Sequence, residues 1–308
     1  MNKRYKLWTH TDLDGIGCAV LAKLAFGDNV DISYCGYGDI DGEVLEWHNN
    51  TEDKSAPCYI TDISISEETA DILNKERRCL YLMDHHATAL GLNKYPWCRV
   101  EVENEDGIKT SGTELFYEYL NFMRYFNDMR MYSLRNIELF VEMVRDYDTW
   151  RWKELGEKGE LCKQLNDLFY IYGREKFIAI CINRITSDVT FPNFQDLDKV
   201  LLENKQREID KYIEAKDKQL HRYFDKFGYI CGVVFADRFV SELGNRLAEL
   251  HPELHYIAMI DVANGKVSYR SVRNDIHLGE EIAHSFGGGG HAKAAGSTFD
   301  KDRMLMLL

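Results

Sequence analysis

Four short stretches bring Asp and His together: His10, Asp12 and Asp14 in HTDLDG, Asp62 in YITDIS, Asp84, His85 and His86 in MDHHA, and Asp146 and Asp148 in VRDYDTW. Each follows an apolar run, so each is expected at the end of a buried element. Adjacent carboxylates are costly there unless a metal ion or another partner compensates their charge. Imidazole with several carboxylates is the ligand set of Mn²⁺-type or Fe-type ions, whereas carboxylates alone would favour Mg²⁺. Alternate side chains of an extended segment point the same way, so His10, Asp12 and Asp14 are expected to approach one centre as their strand ends. Two ions ~3.5–4 Å apart need a bridging ligand, and the lone Asp62 suits that place. Taken singly, Asp62 reads more readily as a helix cap or turn residue than as a ligand, and Asp28, Asp39 and Asp41 read as ordinary turn acids.

Positioning these groups requires elements that end together. Lys6 to Trp8 leads into the first motif, and apolar residues at 16, 20, 21 and 24 predict a helix from Ile16 to Phe26. Val30 to Tyr34, Cys58 to Ile60 and Cys79 to Met83 read as strands, with a helix over Glu67 to Lys75 between the last two. Strands alternating with helices predict an α/β fold, a parallel sheet with helices on both faces that binds ligands at the carboxyl ends of its strands. From Gly112 to Tyr170 the pattern is mainly helical, with Thr110 or Ser111 as cap. The charged stretch from Asp196 to Asp225 predicts one long exposed connecting helix.

Beyond it, Tyr229 to Ala236 predicts a strand, Val240 to Leu250 a helix, and His255 to Arg273 a hairpin turning at Asn264-Gly265. The expected division is therefore 1–195, a helical linker over 196–225, and a smaller α/β domain over 226–308. In that last domain a helical stretch from Leu278 to Phe286 precedes Gly287 to Gly290 and His291. Without Cβ atoms, Gly288, Gly289 and Gly290 let backbone N–H groups approach a phosphate or nucleotide closely. Arg273 is placed to hold a terminal phosphate bidentately. Phe286 and Tyr269 are candidate base-stacking platforms, whereas Tyr147, Trp150 and Trp152 read as packing around the fourth motif.

The composition narrows the function classes. The 308 residues carry 38 Lys and Arg against 51 Asp and Glu, a formal charge of −13, and are 45% apolar with 12% aromatics. That content predicts a globular protein rather than a disordered one. From Asp225 onward there are 9 basic and 11 acidic residues, net −2, which leaves net −11 on the first 224. Binding to long duplex nucleic acid, driven by Lys and Arg on phosphates, is not expected. The basic start MNKRYKLW runs into polar THTDLDG rather than an apolar export signal, and no stretch is long enough to span a bilayer. Eight cysteines without a CxxC pair read as small buried hydrophobes of a reducing cytoplasm.

The motifs together resemble the DHH phosphoesterases: HTDLDG as the first motif, Asp62 as the second, DHH at 84–86 as the third, and Asp148-Thr149 as the fourth. The likeness continues into a C-terminal DHH-associated domain, through SVRN at 271–274 and GGGGHAKAAG at 287–296. This resemblance implies two divalent ions, Mn²⁺ foremost. One would be held by His10, Asp12 and Asp62, the second by Asp14, Asp62, His85 and Asp148, with Asp146 as the other candidate in the fourth motif. Asp62, Asp84 and His86 would serve catalysis, His86 meeting a substrate phosphate. Arg273, Gly288, Gly289, Gly290 and His291 would bind substrate. Among family activities, a nano-RNase or oligoribonuclease that releases mononucleotides from short RNA or DNA oligonucleotides fits best. The runners-up are a 3′-phosphoadenosine 5′-phosphate phosphatase and a linear or cyclic dinucleotide phosphodiesterase. A non-catalytic nucleotide sensor should have lost ligands that are all present here. A homodimer is compatible with this reading, and no membrane partner is expected.

Overall fold

A computed structural model describes residues 5–51, 55–75 and 79–300. The basic residues Lys3 and Arg4 lie outside them. Two compact units are present, Met1–Leu202 and Glu203–Leu308.

The first unit begins with β1 (Tyr5–Thr9), α1 (Leu13–Phe26), β2 (Val30–Tyr34), α2 (Ile40–Asn50), β3 (Cys58–Thr61), α3 (Glu67–Asn74), β4 (Leu80–Asp84) and β5 (Cys98–Val100). The helices α4 (Gly112–Phe122), α5 (Met131–Asp148), α6 (Glu157–Tyr172) and α7 (Arg174–Ile185) follow, and α8 (Asp196–Asp217) leads into the second unit. The five strands form a parallel sheet in the order β2-β1-β3-β4-β5. Side chains alternate along each strand between two cores. Leu7, Tyr59 and Met83 pack with α1 and α4–α7, while Trp8, Ile60 and Leu82 pack with α2 and α3. Helices therefore cover both faces.

Register places the chemistry. Thr9 of β1 pairs with Thr61 of β3, and Thr61 with Met83 of β4, so His10, Asp62 and Asp84 emerge side by side at the carboxyl edge. The chain leaves β1 towards β2 on one side and returns through β3 on the other. That strand-order reversal is where open α/β sheets bind ligands.

The second unit holds β6 (His221–Phe224), β7 (Ile230–Phe235), α9 (Val240–Leu250), β8 (Tyr256–Asp261), β9 (Lys266–Arg270), β10 (Gly289–Gly290) and β11 (Ala294–Thr298). Its mixed sheet runs β10-β11-β9-β8-β7-β6, with only β7 and β8 parallel. Leu243 and Leu247 of α9 cover one face, and Leu278, Ile282 and Ala283 of the helical turns over 278–286 cover part of the other.

The single helix expected over 196–225 is not what forms. Helix α8 stops at Asp217, and His221–Phe224 pairs antiparallel with β7. Nor is 196–225 a separate linker. The division falls inside α8, because Leu202 packs on the first unit's core while Ile209 and Ile213 are buried in the second's. Among the described residues, none of the eight cysteines is in a disulfide. Among the described residues, no helix is long and apolar enough to cross a membrane.

Candidate metal centre

The first motif does not converge as an extended segment. The chain turns after His10, Asp12 becomes the N-cap of α1 with Oδ1 accepting from Gly15 N–H at 3.1 Å, and Asp14 lies in the first helical turn. Gly15 is required because a Cβ there would lie 2.2 Å from the His10 carbonyl oxygen. This geometry separates Asp14 from the other two side chains. His10 Nδ1 stays with Asp12 Oδ2 at 2.9 Å, whereas Asp14 turns under the sheet edge and accepts from the Gly112 and Thr113 amides at 2.6 and 2.9 Å. Those amides open α4, so unpaired N–H groups and the helix dipole both support the buried Asp14 carboxylate.

Asp62 follows β3 with a left-handed backbone, φ +57°, a conformation that costs a non-glycine residue ~1–3 kcal/mol and concentrates at functional sites. Its N–H still bonds to the Met83 carbonyl at 3.0 Å, so the turn bends the side chain without leaving the sheet. The fit is close: a Cβ on Gly112 would lie 2.4 Å from Asp62 Cβ, which confines that position to glycine. At the end of β4, Asp84 Oδ1 takes the His85 amide at 2.8 Å and His86 Nδ1 at 2.7 Å, and Ser64 Oγ donates to its Oδ2. His85 Nε2 points back to Asp62 Oδ1 at 3.2 Å and to Asp14 Oδ2 and Asp148 Oδ2, both at 3.6 Å.

Three clusters result: His10, Asp12 and Asp62; Asp14, His85 and Asp148; and Asp62, Asp84, His85 and His86, the ligand atoms of each lying within 4.8 Å of one another. Asp62 joins the first cluster to the third, and its Oδ1 touches His85 of the second. Its other oxygen, Oδ2, is buried with no hydrogen-bond donor. The electrostatics agree with a cation deficit. Burial first, then the Asp14 and Asp12 charges, push the Asp62 carboxyl well above the usual carboxylate range. The same causes raise Asp148 to about 8. The side-chain types suit a hard divalent ion, oxygen-rich with an imidazole in each set.

The outer groups are held differently. Burial opposes ionisation of Asp12, yet the His10 hydrogen bond and charge, with the Gly15 amide, bring it below its ordinary value, and Asp12 in turn raises His10. Asp84 is likewise lowered by His86 despite burial, and its hydrogen bond raises His86.

Asp146 lies outside all three clusters. It is fully buried among Arg145, Arg151 and Lys158, with contacts of 3.0, 3.4 and 3.5 Å. Both acids of VRDYDTW belong to α5, where residues two apart point ~200° around the axis from one another, so only one can face the site. Removing Asp146 takes one carboxylate from Arg145, which is largely buried but keeps Glu114 at 2.8 Å, and Asp146→Ala is expected to lose about 1–3 kcal/mol of stability. Asp148→Ala should instead keep the metal-free melting temperature and lose the rise on adding Mn²⁺. Thermal denaturation with and without the ion checks this, and the reverse pattern would exchange the two roles.

Sequence reasoning missed Tyr37, whose hydroxyl sits 3.1 Å from His86 Nε2 and whose ring lies 4.9 Å from that of His10. The available signal was an aromatic between two glycines, Gly36 and Gly38, just past a strand. Two stacking expectations change. Tyr269 is buried, its hydroxyl on Ser297, and offers no platform, while Phe286 is 45% exposed. Trp150, expected as packing, is 61% exposed with Lys153 Nζ 4.6 Å above its ring, and Tyr147 and Trp152 stack at 5.9 Å.

In the second unit, Arg273 is paired with Asp275 and His291 is exposed. The glycine run has a local reason of its own. Gly287 has φ +70°, and a Cβ on Gly288 would lie 2.1 Å from the Gly296 carbonyl oxygen, so the segment is pressed against β11.

No family model matches the chain. Oligoribonuclease NrnB of Bacillus subtilis (strain 168) is 37% identical over 297 residues, spanning 95% of this chain and 72% of that protein. The DHH domain of a member of a family of ribosomal proteins, 14% identical, matches with a TM-score of 0.63 over 98% of this chain and 84% of that one. RecJ in complex with Mn²⁺ from Thermus thermophilus, 15% identical, matches with a TM-score of 0.57 over 98% of this chain and 50% of that one. These two likenesses are of fold.

Proposed function

The chain belongs to the DHH phosphoesterases, metal-dependent hydrolases, and on that premise we propose that it hydrolyses short oligoribonucleotides and releases mononucleotides. The observation that carries the reading is the pair of clusters at Asp62, each with an imidazole and carboxylates, in a chain similar to an oligoribonuclease over nearly its whole length.

His10, Asp12 and Asp62 would hold one divalent ion, and Asp14, Asp62, His85 and Asp148 the other, with Mn²⁺ suited to the mixed imidazole and carboxylate set. The ions, when bound, supply Lewis acidity, neutralising phosphate charge and acidifying the attacking water. The chain's own groups do the rest. Asp84 fixes the His86 ring through Nδ1 and favours its protonated form, so Nε2–H is available to a phosphate oxygen. The α4 amides hold Asp14 in place, and the left-handed turn keeps Asp62 at the meeting point of the clusters. Arg273, Gly288, Gly289, Gly290 and His291 are proposed to bind the substrate's far end.

Purified protein with Mn²⁺ and 5′-labelled di- to pentaribonucleotides is expected to release labelled mononucleotide, with little action on long duplex RNA. Absence of release across that series, with activity on 3′-phosphoadenosine 5′-phosphate or a cyclic dinucleotide instead, would transfer the chain to another branch of its family.

A further inference from the structure

Beside the clusters lies a cleft of about 310 Å³ lined by Tyr37, Asp84 and His86 together with Asp41, Ser64 and Glu67. Tyr37 is 62% exposed, too open to serve the core, and its ring stands edge-on to His86 with centroids 5.9 Å apart. An aromatic ring left open beside a phosphate-facing imidazole is placed to meet whatever is attached to that phosphate. On the reading that the chain hydrolyses short oligonucleotides, we propose that this cleft takes the nucleoside next to the scissile phosphate, its base against the Tyr37 ring.

The lining fits a nucleoside better than a further nucleotide. None of the described residues lining the cleft is Lys or Arg. The Asp41 and Glu67 carboxylates accept hydrogen bonds and repel phosphate, so ribose hydroxyls suit them. Both are already oriented, Asp41 by the Ser66 amide at 2.9 Å and Glu67 by Lys94 at 2.6 Å. The volume lies at the small end of the ~300–1,000 Å³ range of ligand sites, which admits one nucleoside.

Stacking of a base on an aromatic side chain is worth roughly 5- to 150-fold in affinity. The test compares wild type, Tyr37→Ala and Tyr37→Phe on a diribonucleotide and on bis(p-nitrophenyl) phosphate, both with Mn²⁺. The ratio of kcat/KM for the dinucleotide to that for the ester is expected to fall about tenfold in Tyr37→Ala, mainly through KM, and to be largely restored in Tyr37→Phe. An unchanged ratio in Tyr37→Ala overturns the proposal, and so does an equal loss in Tyr37→Phe, which would assign the effect to the hydroxyl. Wild-type hydrolysis of the ester without the dinucleotide would count against the oligonucleotide reading. The cleft is then judged by equilibrium binding of the dinucleotide, where equal affinity of wild type and Tyr37→Ala overturns the proposal.

Discussion

Asp62→Asn is expected to lower turnover by roughly 10³-fold or more while the protein stays folded, because it removes a carboxylate shared between two ion sites and with it several kcal/mol of charge stabilisation at ~1.4 kcal/mol per tenfold. Asn tolerates the left-handed backbone at this position, so the substitution does not add strain. It also removes a buried charge crowded by Asp14 and Asp12. Without ions at pH 8 the variant should therefore melt no lower than wild type. Near-normal kcat would take Asp62 out of the shared role, and a large fall in melting temperature would make any loss of activity structural.

The second large effect is a pH dependence that reverses when ions are added. Asp148 has its folded-state pKa raised to about 8, and Asp62 is shifted in the same direction. A carboxyl with a raised folded-state pKa binds its proton more tightly folded than unfolded. Its stabilising effect is therefore complete below the unfolded value near 4 and is lost as pH rises to about 8. In chelator the stability, followed as the melting temperature, should fall across that window by an amount on the order of a few kcal/mol. Divalent ions compete with those protons, so the rise in melting temperature on adding Mn²⁺ should be small at pH 5 and large at pH 8. Thermal scans from pH 5 to 8.5 with chelator or Mn²⁺ measure both. An ion-induced rise that does not grow with pH would contradict the crowded-carboxylate account.

The strands that carry the site were legible because β1, β3 and β4 are short apolar runs that end at or run directly into His10, Asp62 and Asp84, and parallel pairing aligns those ends. Helix α2 was not, since IDGEVLEWHNN holds only a few buried positions among acids and asparagines and its start resembles a turn. Strand β5 has three residues, and β6 sits in a charged stretch with all four side chains exposed, so neither offers an apolar alternation to detect.

The clustered residues of the first motif were identifiable by type, but the physical route to their placement was not. The N-cap at Asp12 replaced the extended segment and split the motif between two clusters. The choice between Asp146 and Asp148 stayed open in the sequence because it depends on where α5 ends. Once the helix runs through Asp148, its periodicity separates them and the basic residues around Asp146 account for that acid. Part of the acidity that marks the first 224 residues is gathered into the clusters around Asp62, and Asp146 is not among them.

The most direct measurement is an anomalous difference map at the manganese edge from crystals of the Mn²⁺-loaded protein. Two peaks are expected, both in contact with the Asp62 carboxylate, one also touching His10 and Asp12 and the other Asp14, His85 and Asp148. A single peak, or peaks that leave Asp62 without an ion, would contradict the account.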